Sequence, residues 1–141
     1  DKVKLYFLYG IPGERLEKIV EFVKKAKKLG FREVYVSANP LIPKIGTPMS
    51  GFKMPTYKEL VIKRRFLEKG PYRFDGYGPR EALVQATVST ASKELGYLLI
   101  RWASLGTDMG SLRRVLKEEN VEGWDGLFMK YGSRSPWSVA Q

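Results

Sequence analysis

The hydrophobic positions change their period soon after the start of the chain. Residues 3–9 are largely apolar or aromatic, a pattern typical of a strand that is buried on both faces in a parallel sheet. Over residues 14–29 the apolar side chains instead recur on one helical face with lysines opposite, and Gly30 supplies a C-terminal stop. A second β-rich segment follows at residues 31–38. The pattern therefore predicts a right-handed βαβ unit with parallel strands.

The segment after this unit is predicted to be a long loop followed by a helix and a short strand. Residues 39–55 contain four prolines and two glycines, so a regular element cannot run through them. Helical spacing resumes over residues 57–69, and residues 72–74 indicate a short strand. The loop begins directly after the second predicted strand, which places it at that strand's C-terminal end.

The rest of the chain is predicted to be mainly helical. Apolar positions from Pro79 to about residue 106 indicate one helical region, since proline is favourable as a first helical residue. Residues 111–120 predict a short helix with Ser111 as its cap. Beyond residue 123 the aromatic side chains follow no period, and we expect them to pack on the core because exposed aromatics are unfavourable. These aromatic residues are Trp124, Phe128, Tyr131 and Trp137.

The composition restricts the chemistry that the chain can perform. Hydrophobic residues make up 43% and charged residues 28% of 141 residues, which is ordinary for one soluble domain. The sequence contains no membrane-length apolar run and no signal peptide, so we expect a cytoplasmic protein. It has no cysteine and no histidine, so any catalysis must rest on carboxylates, lysines, tyrosines or a bound cofactor, and no metal ligand set is predicted.

The net charge of +10 lies in the first 80 residues, whereas the remaining residues are balanced. Such an excess can attract phosphate-rich partners, and the basic run at residues 63–65 suggests a nucleic-acid-binding module. The other interpretation is a soluble, lysine-rich surface. Because the charges are scattered and not clustered with exposed aromatics, the second interpretation is favoured, and RNA binding remains an alternative.

Two rigid loops follow the two predicted parallel strands. Gly10-Ile11-Pro12-Gly13 joins the first strand to its helix, and the segment that starts at Asn39-Pro40 follows the second. Ligands of parallel α/β folds bind where such loops converge, at the C-terminal ends of the strands. Main-chain groups of these loops could pair with a planar heterocycle. A tight turn without a ligand also explains the first loop, which has neither the G-x-G-x-x-G nor the Walker pattern.

These loops carry a resemblance to a known family. LYGIPGE at residues 8–14, followed by an amphipathic helix and then VSANPLIPKIGTPM at residues 36–49, resembles the later part of a radical S-adenosylmethionine (SAM) barrel. The branch most similar to it is often fused to cobalamin-binding domains and has a helical segment like residues 78–106. The resemblance covers residues 3 to about 106. It implies an α/β fold, namely the C-terminal fragment of a partial (β/α)6 TIM-type barrel followed by a helical segment.

The sequence departs from that family in two places. Radical SAM enzymes hold a [4Fe–4S] cluster through a C-x-x-x-C-x-x-C motif near the start of the barrel, and this chain has no cysteine. The first barrel strands are also missing, so we expect a C-terminal piece of a larger polypeptide. The lack of an initiator methionine fits a fragment and a processed chain equally well. At residues 89–92 the chain has Ser-Thr-Ala-Ser, where the related branch carries an arginine and an acid.

The resemblance also implies site residues and domain boundaries. Residues 1–69 correspond to the barrel, residues 70–120 to a helical extension and residues 121–141 to an aromatic-rich tail. By the same resemblance, Lys44 and Thr47 would face the substrate side of the cavity. The residues implied to line the adenine or to contact it through main-chain atoms are Leu8, Gly10, Ile11, Pro12, Gly13, Ala38, Asn39 and Pro40. No catalytic residue is implied within this chain.

The implied parent enzyme cleaves SAM reductively, with the cluster as electron donor and cobalamin use left open. This chain would supply the adenine-side wall and part of the substrate lid, and would be inert alone. Its first partner would be the N-terminal half of its own barrel, and an exposed sheet edge could also form a homo-oligomer. The alternative functions are a basic RNA-binding module and a protein-interaction module on the same scaffold.

Overall fold

The computed structural model describes residues 1–132, which form an α/β structure with three strands and several helices. The strands are β1 (Lys2–Tyr9), β2 (Glu33–Pro40) and β3 (Arg73–Asp75). The helices are α1 (Glu17–Lys28), α2 (Tyr57–Glu68), α3 (Pro79–Thr90), α4 (Leu95–Leu105), α5 (Met109–Glu118) and α6 (Gly123–Leu127), followed by a π-helical turn at Phe128–Gly132. The chain divides into two compact units. The first comprises residues 1–41 and 52–82, and the second comprises residues 42–51 and the described residues from 83 onward.

The first unit contains a parallel sheet with the strand order β1-β2-β3. Leu5 lies opposite Val36, which in turn lies opposite Phe74, so all three side chains share one face. The predicted parallel βαβ unit is confirmed, and the short strand predicted at residues 72–74 lies at Arg73–Asp75. Crossovers between parallel strands are right-handed, and both connections here run in the same direction across the sheet. The rule therefore predicts that α1 and α2 lie on the same side.

Aromatic contacts show that α1 and α2 cover the same face of the sheet. Phe22 of α1 packs edge-on against Phe7 of β1 with ring centroids 5.9 Å apart. The guanidinium of Arg64 in α2 lies 5.2 Å from the ring centroid of Phe74. Phe7 and Phe74 belong to the face defined by Leu5, so both helices pack on that side.

The opposite face of the sheet, called here the open face, presents mainly polar side chains. Lys4, Tyr6 and Leu8 alternate with buried or half-buried residues along β1, and Tyr6 is 72% exposed. The prediction that this strand is buried on both faces is therefore wrong. The apolar appearance of residues 3–9 comes largely from tyrosine and leucine side chains that occupy both faces, whereas burial alternates with a period of two.

The second unit has its own hydrophobic core. Partly buried Trp124 and Tyr131 pack against it, which confirms the expected docking of these two aromatics, while Trp137 lies outside the described residues. The buried core residues are Val84, Leu95, Leu98, Leu112, Val115, Leu116, Val121 and Leu127. No helix in the described part of the chain combines the length and apolar character that a membrane span needs.

The single helical region expected from Pro79 to about residue 106 is instead two helices, α3 and α4, with a break over residues 91–94. The last turns of α3 explain where it ends. The hydroxyls of Thr87, Ser89 and Thr90 each donate to the carbonyl four residues earlier, at 2.8, 2.7 and 2.8 Å. Such bonds compete with regular helix geometry, and the run of serine and threonine continues into the break.

The cap of α5 also differs from the prediction. Asp108, not Ser111, is the N-cap, and its carboxylate accepts hydrogen bonds from the backbone N–H groups of Gly110 (2.7 Å) and Ser111 (3.0 Å). Ser111 is inside the helix, and its hydroxyl donates to the Gly106 carbonyl at 2.8 Å. The hydrogen bond from the Ser111 N–H, followed by that from Gly110, holds the pKa of the Asp108 carboxyl below its usual value of 3.8.

This cap predicts a pH dependence of stability. Because the pKa is lower in the folded state, Asp108 stabilises the fold above pH about 4 and loses that contribution as the pH falls through the folded pKa. Asp108→Asn keeps a capping oxygen that does not titrate. Urea unfolding from pH about 5 to pH about 2 should therefore give a shallower loss of stability in the variant than in the wild type. Identical slopes would contradict this assignment.

Candidate ligand-binding site

Two of the predicted loop segments meet at the C-terminal edge of the sheet. Leu8 is the register partner of Asn39, and Tyr9 is the partner of Pro40, so both strands end side by side. The loop of residues 10–13 leaves β1 at this edge. The structure thus brings the predicted residues of the β1–α1 loop next to those at the end of β2.

The β1–α1 loop is locked by Glu14. Its carboxylate accepts hydrogen bonds from the backbone N–H of Gly10 (2.8 Å to Oε2) and of Ile11 (3.3 Å), and forms an ion pair of 2.5 Å with the Lys63 ammonium. This contact explains why α1 begins at Glu17 and not at the predicted residue 14, because Glu14 folds back onto the loop. The N–H groups of Gly10 and Ile11 therefore point at a carboxylate of the chain itself.

Removal of the Glu14 carboxylate is expected to lower the free energy of unfolding by about 2 kcal/mol. Gly10 is buried, and Glu14→Ala would leave its N–H without a partner, which costs more than the net value of the lost bond. Glu17→Ala, at an exposed position of the first turn of α1, is the matched control and should change stability by no more than about 0.5 kcal/mol. Equal effects of the two substitutions in urea unfolding would rule out the lock.

A cleft of about 360 Å³ opens between this loop and the start of α2. Two carboxylates and two ammonium groups line it, and the α2 side of the cleft was not predicted from the sequence. The lining residues are Gly10, Ile11, Pro12, Gly13, Glu14, Lys53, Met54, Pro55, Thr56, Glu59 and Lys63. The glycines of this cleft let a ligand come close to the backbone, and carboxylates and ammonium groups line its walls. The cleft can therefore accept a polar ligand.

The α2 side of the cleft is fixed by a capping box. The Glu59 N–H donates to the Thr56 hydroxyl at 3.3 Å, and the Thr56 N–H donates to the Glu59 carboxylate at 2.7 Å. These hydrogen bonds from the Thr56 backbone and side chain lower the pKa of Glu59. The pattern Thr-x-x-Glu before a helical period is visible in the sequence and could have indicated this helix start.

The predicted residues at the end of β2 differ in accessibility. Ala38 and Pro40 are buried, whereas Asn39 is half-buried. The loop after β3 covers them: the Tyr77 N–H donates to Asn39 Oδ1 at 3.0 Å, and the Tyr77 hydroxyl donates to the Pro40 carbonyl at 3.3 Å. Leu8 is half exposed, on the open face. Among Leu8, Ala38, Asn39 and Pro40, the accessible side chains are therefore those of Leu8 and Asn39.

Arg64 holds the loop after β3 in place. Its Nη1 donates to the carbonyls of Gly76 (3.0 Å) and Tyr77 (2.8 Å), and its Nε pairs with Glu68 at 2.7 Å. Residues 70–79 were predicted to be a connector, but its role at this edge was not predicted, although Gly76-Tyr77-Gly78-Pro79 combines two glycines and a proline as the loop after β1 does. Arg64 and Lys63 belong to the basic run at residues 63–65, and both are committed to contacts within the chain.

Tyr9 is a buried phenol beneath this edge. Its side chain has no solvent exposure, and its hydroxyl has no hydrogen-bond partner within residues 1–132. Burial raises the pKa of Tyr9 to about 12, and the nearby positive charge of Arg64 opposes that shift only in part. Burial therefore favours the neutral form of this phenol.

Lys44 and Thr47 belong to the second compact unit, whereas the other candidate residues belong to the first. The Lys44 ammonium donates to the Ser89 hydroxyl on α3, and the Thr47 hydroxyl donates to the Lys44 carbonyl at 2.8 Å. Ser89 is the first residue of the segment in which the sequence departs from the radical SAM branch. Across the described residues, no group of three or more acidic side chains is placed to hold a metal ion.

A comparison with known proteins finds an archaeal protein that is similar to most of this chain. The chain is 31% identical over 104 residues to the uncharacterized protein MJ0966 of the archaeon Methanocaldococcus jannaschii. The match covers 70% of this chain and 23% of that protein, so the chain spans less than a quarter of the length of its relative. No protein-family model matches the sequence, and no solved structure matches it significantly.

Proposed function

We propose that the chain forms the C-terminal part of a radical SAM barrel and supplies the adenine-side wall of its cavity. The observation that carries the proposal is the three-stranded parallel sheet with α1 and α2 on one face and a polar open face on the other. Parallel sheets are otherwise covered by helices on both faces, with apolar residues under them. A polar open face beside glycine- and proline-rich loops suits the inner wall of a barrel around a ligand.

In this proposal the adenine of SAM packs against accessible groups at the C-terminal edge. Leu8 contributes apolar surface from the open face, and residues 10–12 contribute the turn that Glu14 locks. Asn39 and Pro40, held by Tyr77, limit the pocket from β2. When bound, SAM supplies the 5′-deoxyadenosyl group. The contribution of this chain is to orient the adenine and to exclude water from it.

The residues of this chain do not fit an iron–sulfur cluster. Such clusters are held by cysteine thiolates, and the chain has none. In the proposal the ligands therefore belong to another part of the parent polypeptide, and the isolated chain produces no 5′-deoxyadenosine from SAM.

The proposed partner of the chain is the N-terminal half of the same barrel, added along β1. This strand is eight residues long and forms an edge of the sheet within the described residues. Parallel pairing along it would extend the sheet and carry the open face around a cavity. The RNA-binding alternative loses the support of the basic run, because Lys63 and Arg64 are engaged within the chain.

Leu8→Ala in the complete polypeptide tests the adenine wall. Loss of this apolar contact should raise the KM for SAM by about 5- to 30-fold, equivalent to about 1–2 kcal/mol, with little change in thermal stability because Leu8 is half exposed. Leu29→Ala, at an 80% exposed leucine after α1, is the control and should leave the KM unchanged. An unchanged KM in Leu8→Ala would show that Leu8 does not contact SAM.

A further inference from the structure

Ser37 lies at the centre of the open face and has an unused hydroxyl. In the register, Ser37 is flanked by Tyr6 on β1 and by Asp75 on β3. The residue is 7% exposed, and its hydroxyl oxygen has no hydrogen-bond partner within residues 1–132, although that oxygen is not fully shielded from solvent. A ligand that comes to this face could therefore hydrogen-bond to this hydroxyl without breaking a bond within the described residues.

The residues beside Ser37 form a surface on the open face that is aromatic at Tyr6 and charged at Lys4 and Asp75. The Tyr6 ring is 72% exposed, and the Lys4 ammonium lies 5.3 Å from its centroid. Lys4 also reaches across β2 to Asp75, at 3.4 Å, and the two side chains are 44% and 70% exposed. An exposed ion pair of this kind contributes little to stability and can exchange its partners for those of a ligand.

The chemistry of this surface favours a particular kind of ligand. A flat ring can stack on Tyr6, as bases stack on aromatic side chains in sheet-based binding sites. Strands lie about 4.8 Å apart, so the edge of that ring would reach Ser37 on the next strand. Ser37 can both donate and accept, Asp75 accepts and Lys4 donates. A nucleobase has a flat face and an edge with both donors and acceptors, whereas a plain hydrocarbon ring has only the face.

We propose that Tyr6 and Ser37 form a binding site for the nucleobase ring of a nucleoside, with the ring stacked on Tyr6 and its polar edge on Ser37. The inference that the substrate of the enzyme contains a nucleobase rests on the proposed function, in which the open face lines the reaction cavity. The inference that the chain binds a nucleobase rests on the open face alone. The site is distinct from the Leu8 wall, since Tyr6 and Ser37 lie one side-chain step further from the C-terminal edge.

Titration of the 141-residue chain with cytidine, followed by two-dimensional NMR of the backbone amides, tests the site. We expect saturable shifts at Tyr6 and Ser37 with a Kd near 1 mM, which corresponds to about 4 kcal/mol. Tyr97 on α4 is 81% exposed and provides an internal control for non-specific stacking. Its shifts should require at least about tenfold more ligand. Similar saturation at Tyr6 and Tyr97 would overturn the proposal.

Two variants separate stacking from edge recognition. Tyr6→Leu should abolish saturation at Ser37 while the remaining amide signals confirm the fold, because Tyr6 is exposed. Ser37→Ala should weaken cytidine binding about three- to tenfold and leave the weak binding of benzyl alcohol unchanged, since that ring lacks the polar edge. Equal losses for both probes would show that Ser37 acts only through packing. None of these experiments involves SAM cleavage, so failure of the proposed function would leave the binding result intact.

Discussion

Gly76→Ala is expected to lower the free energy of unfolding by about 3 kcal/mol or more, a large part of the stability of a domain of this size. A Cβ at Gly76 would lie 2.2 Å from the carbonyl oxygen of Ala38, a contact that real structures do not tolerate. The φ angle of Gly76 is +141°, which side-chain-bearing residues rarely adopt. Since Arg64 holds the neighbouring carbonyls, the loop cannot move away without losing those bonds as well.

The matched control is Gly30→Ala, after α1. Gly30 also has a positive φ, +99°, but a Cβ there would meet no atom within 4 Å. Its cost should therefore be confined to backbone strain, about 1 kcal/mol. Urea unfolding followed by circular dichroism measures both variants, with the slope checked for a common unfolded state. Equal losses would mean that Ala38 and Gly76 do not approach closely and that the loop is placed differently.

Leu60→Ala is expected to lower the free energy of unfolding by about 2–5 kcal/mol. Leu60 has no solvent exposure, and its Cδ2 would lie 3.4 Å from a Cβ built at Gly10, so its side chain supports the loop after β1. Truncation would remove buried apolar contacts and leave a cavity beneath this loop. The amide shifts of Gly10 and Ile11 should change even where the protein stays folded.

Ile62→Ala, two residues away on the same helix, is the control for Leu60→Ala. Ile62 is 58% exposed, so its truncation should cost less than about 1 kcal/mol and leave the loop signals unchanged. Alanine has the highest helix propensity, so neither substitution weakens the helix intrinsically, and a larger loss for Leu60→Ala reports its burial. If Ile62→Ala destabilised the protein as much as Leu60→Ala, the assignment of the buried face of α2 would be wrong.

The strongly periodic parts of the fold could be predicted from the sequence. The βαβ unit and the extent of α2 follow from clear changes of period, and the short β3 strand lies within one residue of its predicted position. The second strand was predicted at residues 31–38 but lies at Glu33–Pro40. Asn39 and Pro40 continue β2, although the proline was interpreted as part of a loop. Proline is tolerated at this position because β3 pairs only with residues 35–37, which leaves residue 40 at an edge on that side of β2.

The errors arose where side chains compete with the backbone. The start of α1 was predicted three residues early because Glu14 resembles an ordinary first-turn acid, while its carboxylate instead closes the loop. The break between α3 and α4 depends on hydroxyl bonds that no hydrophobic period reveals. Likewise, Asp108 and Ser111 are both acceptable caps, and tertiary packing decides in favour of Asp108 by burying Ser111.

The candidate site could be predicted only in part. Adjacent parallel strands must bring their following loops to one edge, so the meeting of residues 10–13 with Asn39 and Pro40 follows from the βαβ unit. The α2 side of the cleft and the cover formed by Tyr77 depend on contacts between distant segments. Those contacts have no local signal apart from the capping box and the second glycine–proline turn.

The most direct test of the central claim is reductive cleavage of SAM by the complete polypeptide that contains this chain. The protein would be reconstituted anaerobically with iron and sulfide, and 5′-deoxyadenosine would be quantified after addition of SAM and dithionite. We predict product well above a no-protein control, together with none from the isolated 141-residue chain. Absence of product from a reading frame that also lacks the three-cysteine motif would contradict the assignment to a radical SAM barrel.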